Sequence, residues 1–220
     1  MNKRFFVISV ACLFAYFISS TATFALSQET ETTSVNTTKE RFYESNINYH
    51  NIIPKITYKG NRSISVVVRD QRPYVLSGQT GPEYVGIFRG GFGRPYDLGT
   101  STLKPLAYEF SQFIMSGFMA AGFKANDSAT PDRIVSIDIL EWLSVSGSSF
   151  LSLTFGTDLH YSLVVRVTDG KDNVLTNQEV KGTDTLGGNF SQIYELIPRG
   201  TENLFNRILN SPNFRLALTE

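Results

Sequence analysis

Three stretches of this chain alternate apolar and polar residues, and that period-two pattern constrains the fold more than any other feature. Ile64, Val66 and Val68 share one face of residues 62–70, with Val67 opposite. Val135, Ile137 and Ile139 do the same within 134–145, with Asp138 opposite. Within 158–168, Tyr161, Leu163, Val165 and Val167 face one way, and His160, Ser162, Arg166 and Thr168 the other. Successive strand side chains point to opposite faces, so each stretch predicts a strand with one face in a core and one in water. Half-wet strands of this kind pair antiparallel. Asp169-Gly170-Lys171-Asp172-Asn173 reads as a hairpin loop, with 174–183 returning beside 158–168. The span 140–159, with Ser146-Gly147-Ser148-Ser149 as a turn or bulge, reads as a ribbon that extends past the sheet.

Between the first two strands the period changes. Leu106, Phe110, Phe113, Ile114, Gly117 and Ala121 recur every three or four residues, the stripe of an amphipathic helix over 102–121. Thr102 is placed to cap it, Pro105 fits its first turn, and Gly122 suits the left-handed stop. Near the C-terminus a break is expected at Pro198. A second helix over 199–209 then presents Leu204, Phe205, Ile208 and Leu209, and Ser211-Pro212 opens a terminal turn. The fold expected is α+β: a two-layer sandwich of a mostly antiparallel four-stranded sheet with two helices packed on one face.

The N-terminus reads as an export signal. Lys3 and Arg4 precede an apolar run from Phe5 to Ile18, and small residues end at Ala22 and Ala25. The run is shorter than the roughly 20 residues of a spanning helix. The division expected is a cleaved signal over 1–25, a flexible Ser/Thr/Glu-rich tether over 26–51, and a single domain over 52–220. The protein is then exported, to the periplasm or in association with the envelope. Cys12 is the only cysteine. The apolar run continues past it, which disfavours lipidation there and leaves membrane attachment open. Without it the mature chain has no thiolate nucleophile, disulfide or Cys metal ligand.

Charge narrows the partners. Lys+Arg and Asp+Glu are equal at 20 each, and loss of Lys3 and Arg4 leaves a slight acidic excess. That gives no basic surplus for phosphates, so nucleic acid is not expected. Two histidines, His50 and His160, and no hydrolase or zinc motif argue for a chain that is not an enzyme, with no metal and no cofactor. The glycine run Gly90-Gly91-Phe92-Gly93 lacks the Lys-Ser/Thr of a phosphate loop.

The most informative stretch is 71–100, which carries Gly, Pro and aromatics without a period and reads as a long loop. Loops of that length are often functional. Arg69, Asp70, Arg72, Tyr74, Tyr84, Arg89, Arg94, Tyr96 and Asp97 form the candidate interface, since Tyr and Arg are favoured anchors. The plainer alternative is an Asp70–Arg72 ion pair that pins the loop, with the aromatics packed beneath.

The stretches VVVRDQRPYVLSG (66–78), EYVGIFRGGFGRPYDLGT (83–100) and KPLA (104–107), with the ending ENLFNRILNSPNFRLAL (202–218), resemble the YajG-type uncharacterised bacterial lipoproteins. The resemblance covers about residues 60–218. It implies a periplasm-facing two-layer α+β domain with an accessory role and no catalytic residues. The chain departs from that family at Cys12, which is badly placed for a lipid anchor. The function expected is that of a non-enzymatic envelope accessory factor that binds another envelope protein. A receptor for a small polar or glycan ligand, using Arg166, His160 and Asp138 on the wet sheet face, is the alternative.

Overall fold

A computed structural model describes residues 43–89, 95–125, 130–148, 155–187 and 192–220. The signal, most of the tether and Arg94 lie outside them. In chain order the elements are β1 (Tyr43–Ile47), β2 (Ser63–Asp70), α1 (Pro73–Leu76), β3 (Tyr84–Arg89), β4 (Pro95–Thr100), α2 (Leu106–Ala120), β5 (Lys124–Ala125), β6 (Arg133–Ser148), β7 (Phe155–Asp169), β8 (Val174–Gly187), α3 (Ile193–Leu209) and α4 (Pro212–Thr219).

The four-stranded antiparallel sheet expected from the alternation is overturned. The strands form one mixed, curled sheet of eight, in the order β1-β4-β3-β6-β2-β5, with β7 and β8 added beyond β6. Two causes account for the difference. Alternation reports which face is buried but not strand direction, and β2 runs parallel to β6, with Ile64 opposite Arg133 and Asp70 opposite Ile139. Residues 71–100 are also not a structureless loop: they hold α1, β3 and β4. Tyr84, Val85 and Gly86 are buried in succession, so β3 has no period to read.

β6 organises the sheet. Along one side it pairs antiparallel with β7 from Arg133–Asp169 to Ser148–Phe155. The other side is shared: its first half takes β2, and Ser144–Gly147 takes Gly86–Arg89 of β3, again parallel. The span expected as a projecting ribbon is therefore flanked by β3 and β8. A bulge between Ile139 and Glu141 shifts the phase. Val135, Ile137 and Ile139 point inward before it, and Trp142, Ser144 and Ser146 after it.

The core lies between this sheet and the helices. Phe110 meets Trp142 at 4.7 Å and Phe205 at 5.3 Å between ring centroids, both edge-on. α2 buries the expected stripe, and Gly122 takes the left-handed conformation at φ +90°. At Gly117 the helix comes close to the strap that precedes β2: a Cβ there would lie 2.8 Å from the Pro54 carbonyl oxygen. α3 contains Pro198 instead of starting after it, and packs on β1, β7 and β8. Ile47 and Tyr49, ahead of the start expected at Ile52, are buried in the core. Residues 52–58 are stitched to α3: the Asn206 and Asn210 side chains accept the Lys55 and Thr57 N–H groups at 2.6 and 2.7 Å, and the Tyr58 hydroxyl donates to the Leu209 carbonyl at 2.9 Å. Among the described residues no helix is long and apolar enough to cross a membrane.

Candidate functional site

Where the β2 and β3 partnerships of β6 diverge, the chain must turn from one strand to the next without leaving buried polar groups unpaired. Residues 70–74 do this. Arg72 is fully buried at 0% exposure. Its Nε donates to Asp70 Oδ1 at 2.8 Å and its Nη2 to Asp70 Oδ2 at 2.6 Å. Nη1 donates to the Tyr84 carbonyl at 2.5 Å, and Nη2 also to the Pro82 carbonyl at 3.1 Å. One planar fork thus ties the end of β2 to the start of β3. Burial alone would lower the guanidinium's pKa. The hydrogen bonds and charge of Asp70 outweigh it and hold Arg72 above its ordinary value.

Tyr74 fills the gap on the β6 side. Its hydroxyl donates to the Trp142 carbonyl at 2.8 Å and accepts the Trp142 N–H at 3.3 Å. Its ring meets Tyr84 edge-on at 5.9 Å. Burial pushes the phenol up, against the lowering pull of Arg72, so it stays a neutral donor.

The nine residues singled out in the sequence thus separate. Asp70, Arg72, Tyr74 and Tyr84 come together as an internal pin, and Arg72 has no surface to offer a partner. Arg69 faces solvent and is paired with Asp138 at 2.6 Å. Arg89 is exposed at the end of β3. Tyr96 stacks on Phe88 at 6.2 Å, and Asp97 sits between Ile87 of β3 and Tyr43 of β1. Arg94 is not among the described residues. The alternative ligand residues do not all converge: Asp138 of β6 pairs with Val164 and so lies diagonally beside Arg166, but His160 is six positions from Arg166 on β7, about 20 Å along a strand. His160 Nδ1 lies 2.8 Å from Thr183 Oγ1, and Asp138 is taken by Arg69.

Sequence reasoning missed the open side of β8. This 14-residue strand pairs with β7 and with no other described strand. Most of its residues are exposed. Alternate residues of such an edge direct N–H and C=O outward. The other sheet ends are short, five residues in β1 and two in β5. On its inner side β8 borders a groove of about 610 Å³ against α3, lined by Asp184, Leu186, Gly200 and Arg207 among others. There Arg207 donates to Asp184 at 2.6 Å. The run Thr176-Asn177-Gln178-Glu179 is too polar for a strand covered on both faces, but it signals only a wet face and not an edge.

No family model and no curated protein matches the chain. Solved structures resemble it, three of them as follows. A Xanthomonas campestris protein of family DUF330 is 8% identical, covers 77% of this chain and 92% of its own, and has a TM-score of 0.49. A hypothetical protein from Chlamydia trachomatis is 15% identical over 72% and 96%, at 0.40. A lipoprotein from Neisseria meningitidis is 17% identical over 68% and 99%, at 0.24. Neighbours of this chain thus include bacterial lipoproteins and proteins of unknown function. At these scores they carry no functional conclusion.

Proposed function

We propose that the chain is an exported, non-catalytic accessory protein of the bacterial cell envelope, which works by assembling with protein through the open edge of β8. The observation that carries this is the long strand with one ladder made and, among the described residues, the other unmade. Natural sheets usually shorten, cover or bulge such edges, because an open edge templates another strand. The export signal supports the location, and near-balanced charge favours a protein over nucleic acid. The 70–97 segment contributes by holding the sheet's fork. Of the candidate residues, Arg69 just before it and Arg89 within it are exposed, and Tyr96 and Asp97 are half-buried.

The test is in-cell photo-crosslinking of the full chain, with the crosslinker at Gln178 on β8 or at Arg89 and Tyr96. Protein adducts from Gln178 are expected. Adducts confined to Arg89 and Tyr96 would return the interface to the 70–97 segment, and none at any position would overturn the assembly reading. The mature N-terminus, read by mass, distinguishes cleavage after Ala22 or Ala25 from lipidation at Cys12.

A further inference from the structure

The geometry points to a partner for the β8 edge: a second copy of this chain, added antiparallel about a two-fold axis at Val180. This rests on the assembly reading above and names the partner.

A two-fold axis between antiparallel edge strands stands normal to the sheet. It keeps each side chain on its own face, so opposed residues are an even number apart. With the axis at Val180, Glu179 lies opposite Lys181 of the second copy, and Lys181 opposite its Glu179. Asn177 meets Thr183, and Thr176 meets Asp184. Glu179 and Lys181 stand on the solvent face, 56% and 75% exposed, 3.6 Å apart within one chain. Val180 lies on the helix face, partly buried against the core, where it meets its own copy.

Moving the axis one residue either way puts Glu179 against Glu179 or Lys181 against Lys181. Like charges directly opposite are destabilising, and opposite charges stabilising. The strand therefore carries a charge pair that favours this register over the two adjacent ones. A register slip is penalised twice, because the symmetry repeats each contact. The other sheet ends, β1 and β5, are too short to offer such a ladder.

The experiment is sedimentation of the mature full-length protein over a range of concentrations, with charge-reversal variants. The side chains changed are exposed, so the fold is expected to persist, and circular dichroism checks it. Wild type is expected to dimerise. Glu179→Lys alone and Lys181→Glu alone each oppose like charges, and each is expected to weaken the dimer about ten-fold or more. The double variant, Glu179→Lys with Lys181→Glu, restores the pairs and is expected to recover wild-type affinity. A monomer at every concentration, or a dimer indifferent to the single reversals, would overturn the inference. In the crosslinking experiment, adducts from Gln178 only to a different protein would also overturn it, while leaving the assembly reading intact. No adducts from Gln178 would overturn the inference, and none at any position would remove both.

Discussion

The hydroxyl of Tyr74 both donates to and accepts from the backbone of Trp142, standing where a neighbouring strand would otherwise serve β6. A side chain thus completes the ladder between β2 and β3. Tyr74→Phe keeps the ring but leaves both Trp142 groups unserved in a half-buried place. It is expected to cost about 1–3 kcal/mol in urea unfolding. Tyr108→Phe, at an exposed hydroxyl, is the control and is expected to stay within about 0.5 kcal/mol.

Arg69 and Arg72 lie three residues apart and should differ sharply. Arg72→Met strands the mostly buried Asp70 carboxylate and leaves the Tyr84 and Pro82 carbonyls without their donor. The expected cost is about 3–5 kcal/mol. Arg72→Lys should recover only part, since an ammonium lacks the planar fork. Arg69→Ala breaks an exposed pair with Asp138 and should cost less than about 1 kcal/mol. Chemical denaturation of the three variants separates a buried pin from a surface pair.

What the sequence revealed follows from period. β6, β7, β8 and the α2 stripe were legible because one of their faces is wet or packed at a regular spacing. β3 was not, because Tyr84 to Gly86 are covered on both faces. Strand direction was not legible either, since Val66 and Val68 alternate identically beside a parallel or an antiparallel neighbour. Pro198 misled in the other direction: it removes one donor inside α3, yet the helix continues with Ile197 and Pro198 both buried. At the site, the spacing of Asp70 and Arg72 disclosed the ion pair. It did not disclose that the guanidinium is fully buried and reaches two carbonyls ten and twelve positions on. Those carbonyls are brought by β3, which the sequence hid. The free side of β8 was invisible because edge status belongs to the order of strands.

Stability in acid should report Asp132. Its Oδ2 accepts the Ser63 N–H and hydroxyl, each at 2.8 Å, and these bonds hold the carboxyl below its ordinary value of 3.8. The folded state thus favours the ionised form. Its contribution is fully present above the unfolded value and is lost as pH falls through the lower folded one. Asp132→Ala should therefore be less stable than wild type at about pH 6, with the gap closing towards about pH 2. Because Asp132 is exposed, the difference is expected to be small. Urea midpoints across that range measure it, and a gap independent of pH would detach Asp132 from the tie at Ser63.

Gly86 is where β3 meets β6 with no room between them. It pairs with Ser144, and a Cβ there would lie 2.0 Å from Ser144 Oγ and 2.1 Å from the Ser144 carbonyl oxygen. The hydroxyl can rotate away, but the carbonyl belongs to the β6 ladder and cannot. Gly86→Ala must therefore part the parallel pairing that holds β3, and with it β4 and β1, to the sheet. The expected loss is about 3 kcal/mol or more. Among the described residues nothing lies within 4 Å of the Cβ position of Gly156 on β7, so Gly156→Ala should be neutral or slightly stabilising through the unfolded chain. Thermal unfolding of the two variants reads the contrast, and hydrogen exchange should show early opening confined to β1, β3 and β4 in Gly86→Ala. Equal melting temperatures would mean that β3 is not clamped to β6 at Ser144.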